Sequence, residues 1–158
     1  MDERANQMKQ IIFAAVSMVL AGPAVAQDSA PRIDDIVWQY IDSYCSFMRA
    51  DHEFDYDDPD SWRWVLFSNL PGEDGADPIE SPFMRIDGQL LQLEQTGVEH
   101  IDGGALRSYR SHNADPYLVD VSLLEGAEGY ENLTYSGTIR VSRDGASSEI
   151  AYKGDCGV

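Results

Sequence analysis

Basic residues are scarce in this chain, and the scarcity decides more than any motif does. Eleven Lys and Arg stand against 28 Asp and Glu, for a formal net charge of −17. Asp2 and Glu3 offset Arg4 and Lys9, so the whole excess belongs to residues 27–158, where Lys153 is the single lysine. A surface of this sign repels phosphate backbones and anionic lipid, which argues against nucleic acid and membrane as partners. It attracts basic proteins and divalent cations. Cysteine is also scarce: Cys45 and Cys156 form no C-x-x-C, so a thioredoxin-like redox motif is excluded. There is no H-E-x-x-H among His52, His100 and His112, and no G-x-S-x-G elbow. No apolar run is long enough to cross a bilayer as a helix; the best is Ile11 to Leu20.

That run does have a use. Lys9 precedes it, Ala21-Gly22-Pro23 breaks it, and Ala24-Val25-Ala26 supplies an A-x-A site before Gln27. A basic start, a short apolar centre and a small-residue site are the parts of a secretory signal peptide. Residues 1–26 are therefore expected to be a signal peptide, and residues 27–158 one domain, periplasmic or secreted. Gln27 stands where a lipoprotein would carry cysteine, so no lipid anchor is expected. In an exported chain an even cysteine count points to a bridge. Cys45–Cys156 would close a loop of about 110 residues, for which chain entropy gives roughly 4–5 kcal/mol as an upper figure.

Ile33, Ile36, Val37, Tyr40, Ile41, Tyr44 and Met48 follow a helical spacing, with Asp34 and Asp35 in the first turn. This predicts a helix over residues 33–50. Residues 51–60 (DHEFDYDDPD) read as an acidic loop. Everything after them reads as strand: 62–69, 83–96 with Asp87-Gly88 as a hairpin turn, 105–112, 117–124, 133–142, and 147–153 after Asp144-Gly145. Loops are expected over 71–82, 97–104 and 125–131. The fold class is α+β and mainly β: one N-terminal helix plus about seven antiparallel strands in a barrel or sandwich, with the helix across one opening or edge. A monomer is expected.

Chemistry is harder to place. Asp51, Glu53, Asp55, Asp57, Asp58 and Asp60 could offer oxygens to Ca²⁺, but an EF-hand frame from Asp51 puts Tyr56 at the glycine position, and a frame from Asp55 puts Asp60 there. With so many acids, paired carboxylates carry no information about glycoside hydrolysis. No catalytic residue, metal ligand or cofactor site is assigned. Trp62 and Trp64 lie two apart and would share a strand face; with Trp38 they read as core or as an aromatic platform for a sugar or partner. Arg107, Tyr109 and Arg110 beside Gly103-Gly104 form the candidate binding surface, because cations are rare here and loops carry binding residues.

Met84-Arg85-Ile86-Asp87-Gly88-Gln89, Tyr109-Arg110, Tyr135-Ser136-Gly137-Thr138-Ile139-Arg140-Val141 and Gly154-Asp155-Cys156-Gly157 resemble segments of a group of small exported bacterial proteins of uncharacterised activity. More loosely, the 84–89 hairpin followed by Gly103-Gly104-Ala105-Leu106-Arg107-Ser108-Tyr109 resembles the periplasmic inhibitors of C-type lysozyme. That resemblance implies a disulfide-held β-barrel that binds a basic hydrolase. The sequence thus points to a non-catalytic exported binding domain with a basic protein as partner. The competing class is a metal-assisted or carboxylate-dependent periplasmic enzyme. Exported protein should begin at Gln27; N-terminal sequencing of the secreted or periplasmic fraction reads this, and retention of residues 1–26 contradicts it.

Overall fold

A computed structural model describes residues 29–68 and 81–157. The expected signal peptide and most of the expected 71–82 loop lie outside these residues. Eleven strands are present among the described residues: β1 Ile33–Asp34, β2 Ile36–Val37, β3 Cys45–Arg49, β4 Arg63–Trp64, β5 Leu66–Ser68, β6 Pro82–Ile86, β7 Gln89–Ile101, β8 Gly104–Ser111, β9 Leu118–Glu128, β10 Asn132–Arg143 and β11 Ala146–Gly157. Eight of them close into an antiparallel barrel in the order β6-β5-β3-β11-β10-β9-β8-β7, with β7 pairing back to β6. Apart from the seam between β3 and β11, every neighbour in the barrel is the next barrel strand along the chain, which is an up-and-down arrangement. β1 extends the wall beside β6, and β2 pairs with β4 in a separate two-stranded sheet.

The helix expected over residues 33–50 is not present. Its apolar positions serve two different cores instead of one stripe. Ile33 is buried with the barrel interior, Ile36 is buried in a cluster outside the barrel, and Val37 and Tyr40 are exposed. Tyr40 takes φ 52°, a left-handed value that breaks any regular element. From Cys45 onward the period is two: Cys45 and Phe47 are buried while Ser46 and Met48 are less so. Branched and aromatic residues suit that extended backbone. Among the described residues the helical content is one 3₁₀ turn, Pro59–Ser61.

The two hairpin turns form as expected. Asp87 and Gly88 have φ 49° and 80°, and Asp144 and Gly145 have φ 51° and 80°. The loops expected over 97–104 and 125–131 are much shorter, because β7 and β8 meet across a turn at Asp102-Gly103 and β9 runs to Glu128. Gly97 marks a register shift in the β7–β8 ladder rather than a loop.

The interior is filled by Met84, Ile86, Leu93, Val119, Val121, Ile139, Val141 and Tyr152, each almost wholly buried. Tyr152 lies opposite Gly137, and its hydroxyl donates to the Ser122 carbonyl one strand further on, at 2.7 Å. A Cβ on Gly137 would stand 1.9 Å from that same carbonyl oxygen. Glycine here lets β9 and β10 approach, and the ring of the neighbouring Tyr152 covers the backbone that glycine leaves bare. The Ser122 hydroxyl takes the Thr138 N–H at 2.8 Å, replacing a ladder bond. Burial pushes the Tyr152 phenol well above its ordinary pKa. Gly154 does the same service at the seam: its Cβ would meet the Ser46 carbonyl oxygen at 2.1 Å and the Phe47 ring at 2.6 Å.

A polar clasp ties β1 to the far end of the barrel. The Asp87 carboxylate accepts from the Arg32 N–H at 2.8 Å and from the Tyr117 hydroxyl at 2.8 Å. Arg143 packs over the Tyr117 ring, 4.3 Å from its centroid. Asp34 accepts the Gly88 N–H at 2.6 Å, and its hydrogen bond with Arg32 holds its carboxyl below the usual range.

The expected disulfide is present. Cys45 and Cys156 face one another across the seam, with Cα atoms 4.0 Å apart and a separation of 111 positions in sequence. Replacing both by alanine should lower unfolding stability by about 2–5 kcal/mol, the range for native bridges in small domains. Denaturant unfolding of the variant checks this; a change under about 1 kcal/mol contradicts it.

Candidate functional site

The five residues singled out from the sequence do not make one surface. Gly103 sits at the β7–β8 turn with φ 73°. Gly104 packs against the Leu123 carbonyl, where a Cβ would come within 1.8 Å. Arg107 and Tyr109 share a face as expected, but that face is the barrel interior. Tyr109 is only 5% exposed, opposite Gln95 and Val119. Arg107 stands opposite Val98 and Val121, and its Nε is buried. Arg110 points outward and pairs with Glu94 at 2.9 Å. The expectation of an exposed contact at Tyr109 is therefore corrected: the alternation of β8 turns its ring into the core.

A different surface is assembled on the other side of the wall. β3 and β5 are apolar on both faces. Phe47 and Leu66 point into the barrel, while Met48 and Phe67 join an outer cluster with Ile36, Ile41, Trp62, Trp64 and Phe83. Phe67 stacks on Phe83 across the ladder at 5.1 Å and 12°. The segments at 36–41 and 53–64 fold over this outer cluster. Trp62 and Trp64 become its buried middle. Trp38, Tyr40, Phe54 and Tyr56 remain exposed above it, at 49%, 67%, 40% and 63%. The rings touch in a chain: Tyr40 to Trp62 at 4.8 Å, Tyr56 to Trp62 at 5.4 Å, Tyr40 to Tyr56 at 5.9 Å, and Phe54 to Trp62 at 5.1 Å. The tryptophan N–H groups are spent on backbone, Trp64 to the Trp38 carbonyl at 3.0 Å and Trp62 to the Tyr56 carbonyl at 3.4 Å. The exposed side is a fixed ridge of ring faces and edges.

Carboxylates flank Phe54 and Tyr56 along the chain. Asp51, Glu53, Asp55, Asp57, Asp58 and Asp60 are all exposed, with no Lys or Arg among residues 51–60. The loop that carries them is ordered from beneath. The Ser61 hydroxyl is buried, donates towards the Asp55 and Asp58 carbonyls at 2.6 and 2.8 Å, and accepts the Asp55 N–H at 3.0 Å. His52 Nε2 lies 2.6 Å from the Ser61 carbonyl oxygen. Asp55 and Asp58 each accept the N–H two residues on, at 2.9 and 3.0 Å. Those turn bonds hold side chains along the backbone rather than around a common point. Among the described residues, no three His, Cys, Asp or Glu side chains group as metal ligands.

The ridge was half legible. Of the three tryptophans that the sequence offers as core or platform, Trp62 and Trp64 are core and Trp38 is exposed. Tyr40, Phe54 and Tyr56 were missed because one lay in the supposed helix and two in the supposed solvated loop. The alternation of aromatic and acid in Glu53-Phe54-Asp55-Tyr56-Asp57 was the available signal. No protein-family model, curated protein or solved structure matches this chain.

Ser61→Ala removes the hydroxyl that satisfies this loop, and buried groups left unpaired cost about 1–3 kcal/mol. Amide hydrogen exchange across residues 55–61 should rise with the loss of global stability; unchanged exchange there contradicts this account of the loop.

Proposed function

We propose that this chain is a non-catalytic exported binding domain whose partner is a basic protein, a cationic hydrolase such as a C-type lysozyme being the first case to test. The observation that supports this best is the aromatic ridge set among six carboxylates on a preordered loop. Tyrosine and tryptophan at a surface supply contact area with little side-chain entropy to lose, and they recur among the residues that dominate protein interfaces. Their ring faces attract ammonium and guanidinium groups by about 0.5–1 kcal/mol each at exposed sites. The surrounding carboxylates add charge-assisted hydrogen bonds to the same groups.

The net charge of −17 acts at longer range. It speeds encounter with a basic partner and disfavours acidic ones. The disulfide, and the lack of any long apolar helix among the described residues, are consistent with an exported protein. Order in the loop matters as well, because a surface already arranged for contact loses less freedom on binding. The barrel is the rigid support; the chemistry is all on its outside.

Mixing the protein with a basic lysozyme tests this. Binding and inhibition are expected at low salt, with association slowing at physiological ionic strength, where screening shortens the field to about 8 Å. Tyr40→Ala together with Tyr56→Ala should weaken binding by roughly tenfold or more, since both rings are among the most exposed of the ridge. Absence of binding at both salts removes lysozyme as the partner. Equal binding by wild type and the double variant keeps the partner and rejects the ridge.

A further inference from the structure

A second site of different chemistry lies on the barrel wall beside the ridge. The outward faces of β3, β10 and β11 form an open groove of ≈ 510 Å³, with Phe54 among the residues that line it. One side chain is missing over it: Gly126 leaves room above Thr134, where a Cβ would stand 2.5 Å from the threonine hydroxyl. The ladder sets what faces the groove. Thr134 pairs with Asp155 and Ser136 with Lys153 on adjacent strands, while Lys153 pairs with Met48 on the next. Glu53 comes in from the acidic loop.

The polar groups here are of every kind. Lys153 donates only; Glu53 and Asp155, as carboxylates, accept only; the two hydroxyls can do both. The Thr134 hydroxyl already gives its proton to the Ala127 carbonyl at 3.0 Å, so towards a ligand it can only accept. One Asp155 oxygen takes the Asn132 amide at 3.4 Å, which leaves the other available. With this set stands the Phe54 ring, 40% exposed and fixed by Trp62 at 5.1 Å and Trp64 at 5.7 Å.

Charge then selects the ligand by exclusion. An anion meets Glu53, Asp155 and the field of the whole surface. A cation is drawn more strongly to the ridge, where no lysine opposes it, than to a groove that holds Lys153. What suits the groove is a neutral molecule with many hydroxyls and one apolar face. A pyranose ring has both: its C–H face stacks on an aromatic ring, and its hydroxyls give and take hydrogen bonds with carboxylate, ammonium and hydroxyl. The groove is open rather than closed, so it fits several sugar units laid across the strands better than one enclosed unit.

We infer that this groove is a binding site for a neutral glycan, with Phe54 as the stacking platform and Thr134, Ser136, Lys153, Asp155 and Glu53 as its hydrogen-bonding wall. The groove shares Phe54 and Glu53 with the ridge but takes a ligand of different chemistry, and it does not rest on the basic-protein reading.

The test is titration of the purified protein with three neutral hexasaccharides, cellohexaose, maltohexaose and hexa-N-acetylchitohexaose, followed by calorimetry and by indole fluorescence. Trp62 and Trp64 lie against Phe54 and report its environment. At least one of the three should bind saturably, with the same affinity at low and physiological salt. Phe54→Ala should weaken that binding by roughly tenfold, the scale of one lost aromatic stack. Ser136→Trp, at an exposed strand position, should abolish it by filling the groove while leaving lysozyme mixing as in wild type. No binding to any of the three overturns the proposal. So does binding that persists in both variants, or an affinity that falls with salt, which would mark the groove as part of the charged surface.

Discussion

Closure of the ring between β3 and β11 is the constraint on which the rest of this structure depends. An antiparallel sheet of these strands, left open, would present two edges and a half-covered apolar face. Pairing Cys45–Arg49 with Tyr152–Cys156 removes both problems at once, and the disulfide fixes the register of that pairing at its end. The seam also needs Gly154, because a side chain there would collide with β3. Three features of short range, a cystine, a glycine and a Phe47 ring packed 4.9 Å from Tyr152, hold the one non-sequential contact of the barrel.

The outer ridge follows from the same closure. β3 and β5 are only a few residues long, yet they carry large apolar side chains on both faces. A wall that is apolar outside must be covered, and the chain covers it with its own N-terminal segment and with the loop before β4. That cover is itself aromatic, and it is too thin to bury everything it brings. Trp62 and Trp64 are hidden; Trp38, Tyr40, Phe54 and Tyr56 are not. The exposed rings are thus the outermost layer of a second small core rather than stray hydrophobic residues.

The C-terminal half was legible because its signals are local. The two Asp-Gly turns demand positive φ at both positions, and strict alternation from Leu133 to Ser142 marks a strand whatever it packs against. Residues 33–48 were misread for a physical reason. A helical period records burial on one side only, and here Ile33 and Ile36 are buried on opposite sides of a wall that the sequence does not announce. The five candidate residues fall on different faces for a related reason. Scarcity drew attention to Arg107 and Arg110, but parity within β8 decides which of its residues face solvent, and that parity is set by the register with β9. Buried Tyr109 could have been foreseen only by counting inward from Val119 and Val121.

The sequential order of the barrel also dictates when the cystine can be made. Hairpins from β6 to β11 join neighbours in the chain and can pair as soon as each second strand exists, because little loop has to be closed. β3 can pair with β5 early, but its other edge must wait. The strand that covers it, β11, is the last of those described, and Cys156 leaves the ribosome 111 residues after Cys45. Throughout that interval Cys45 has no partner within the molecule, so any bond it forms is to something else. Cys45 and Cys156 are the two cysteines of the sequence, so one pairing is available and there is nothing for an isomerase to reshuffle inside the chain; the bond waits on an oxidant that acts after β11 has been made.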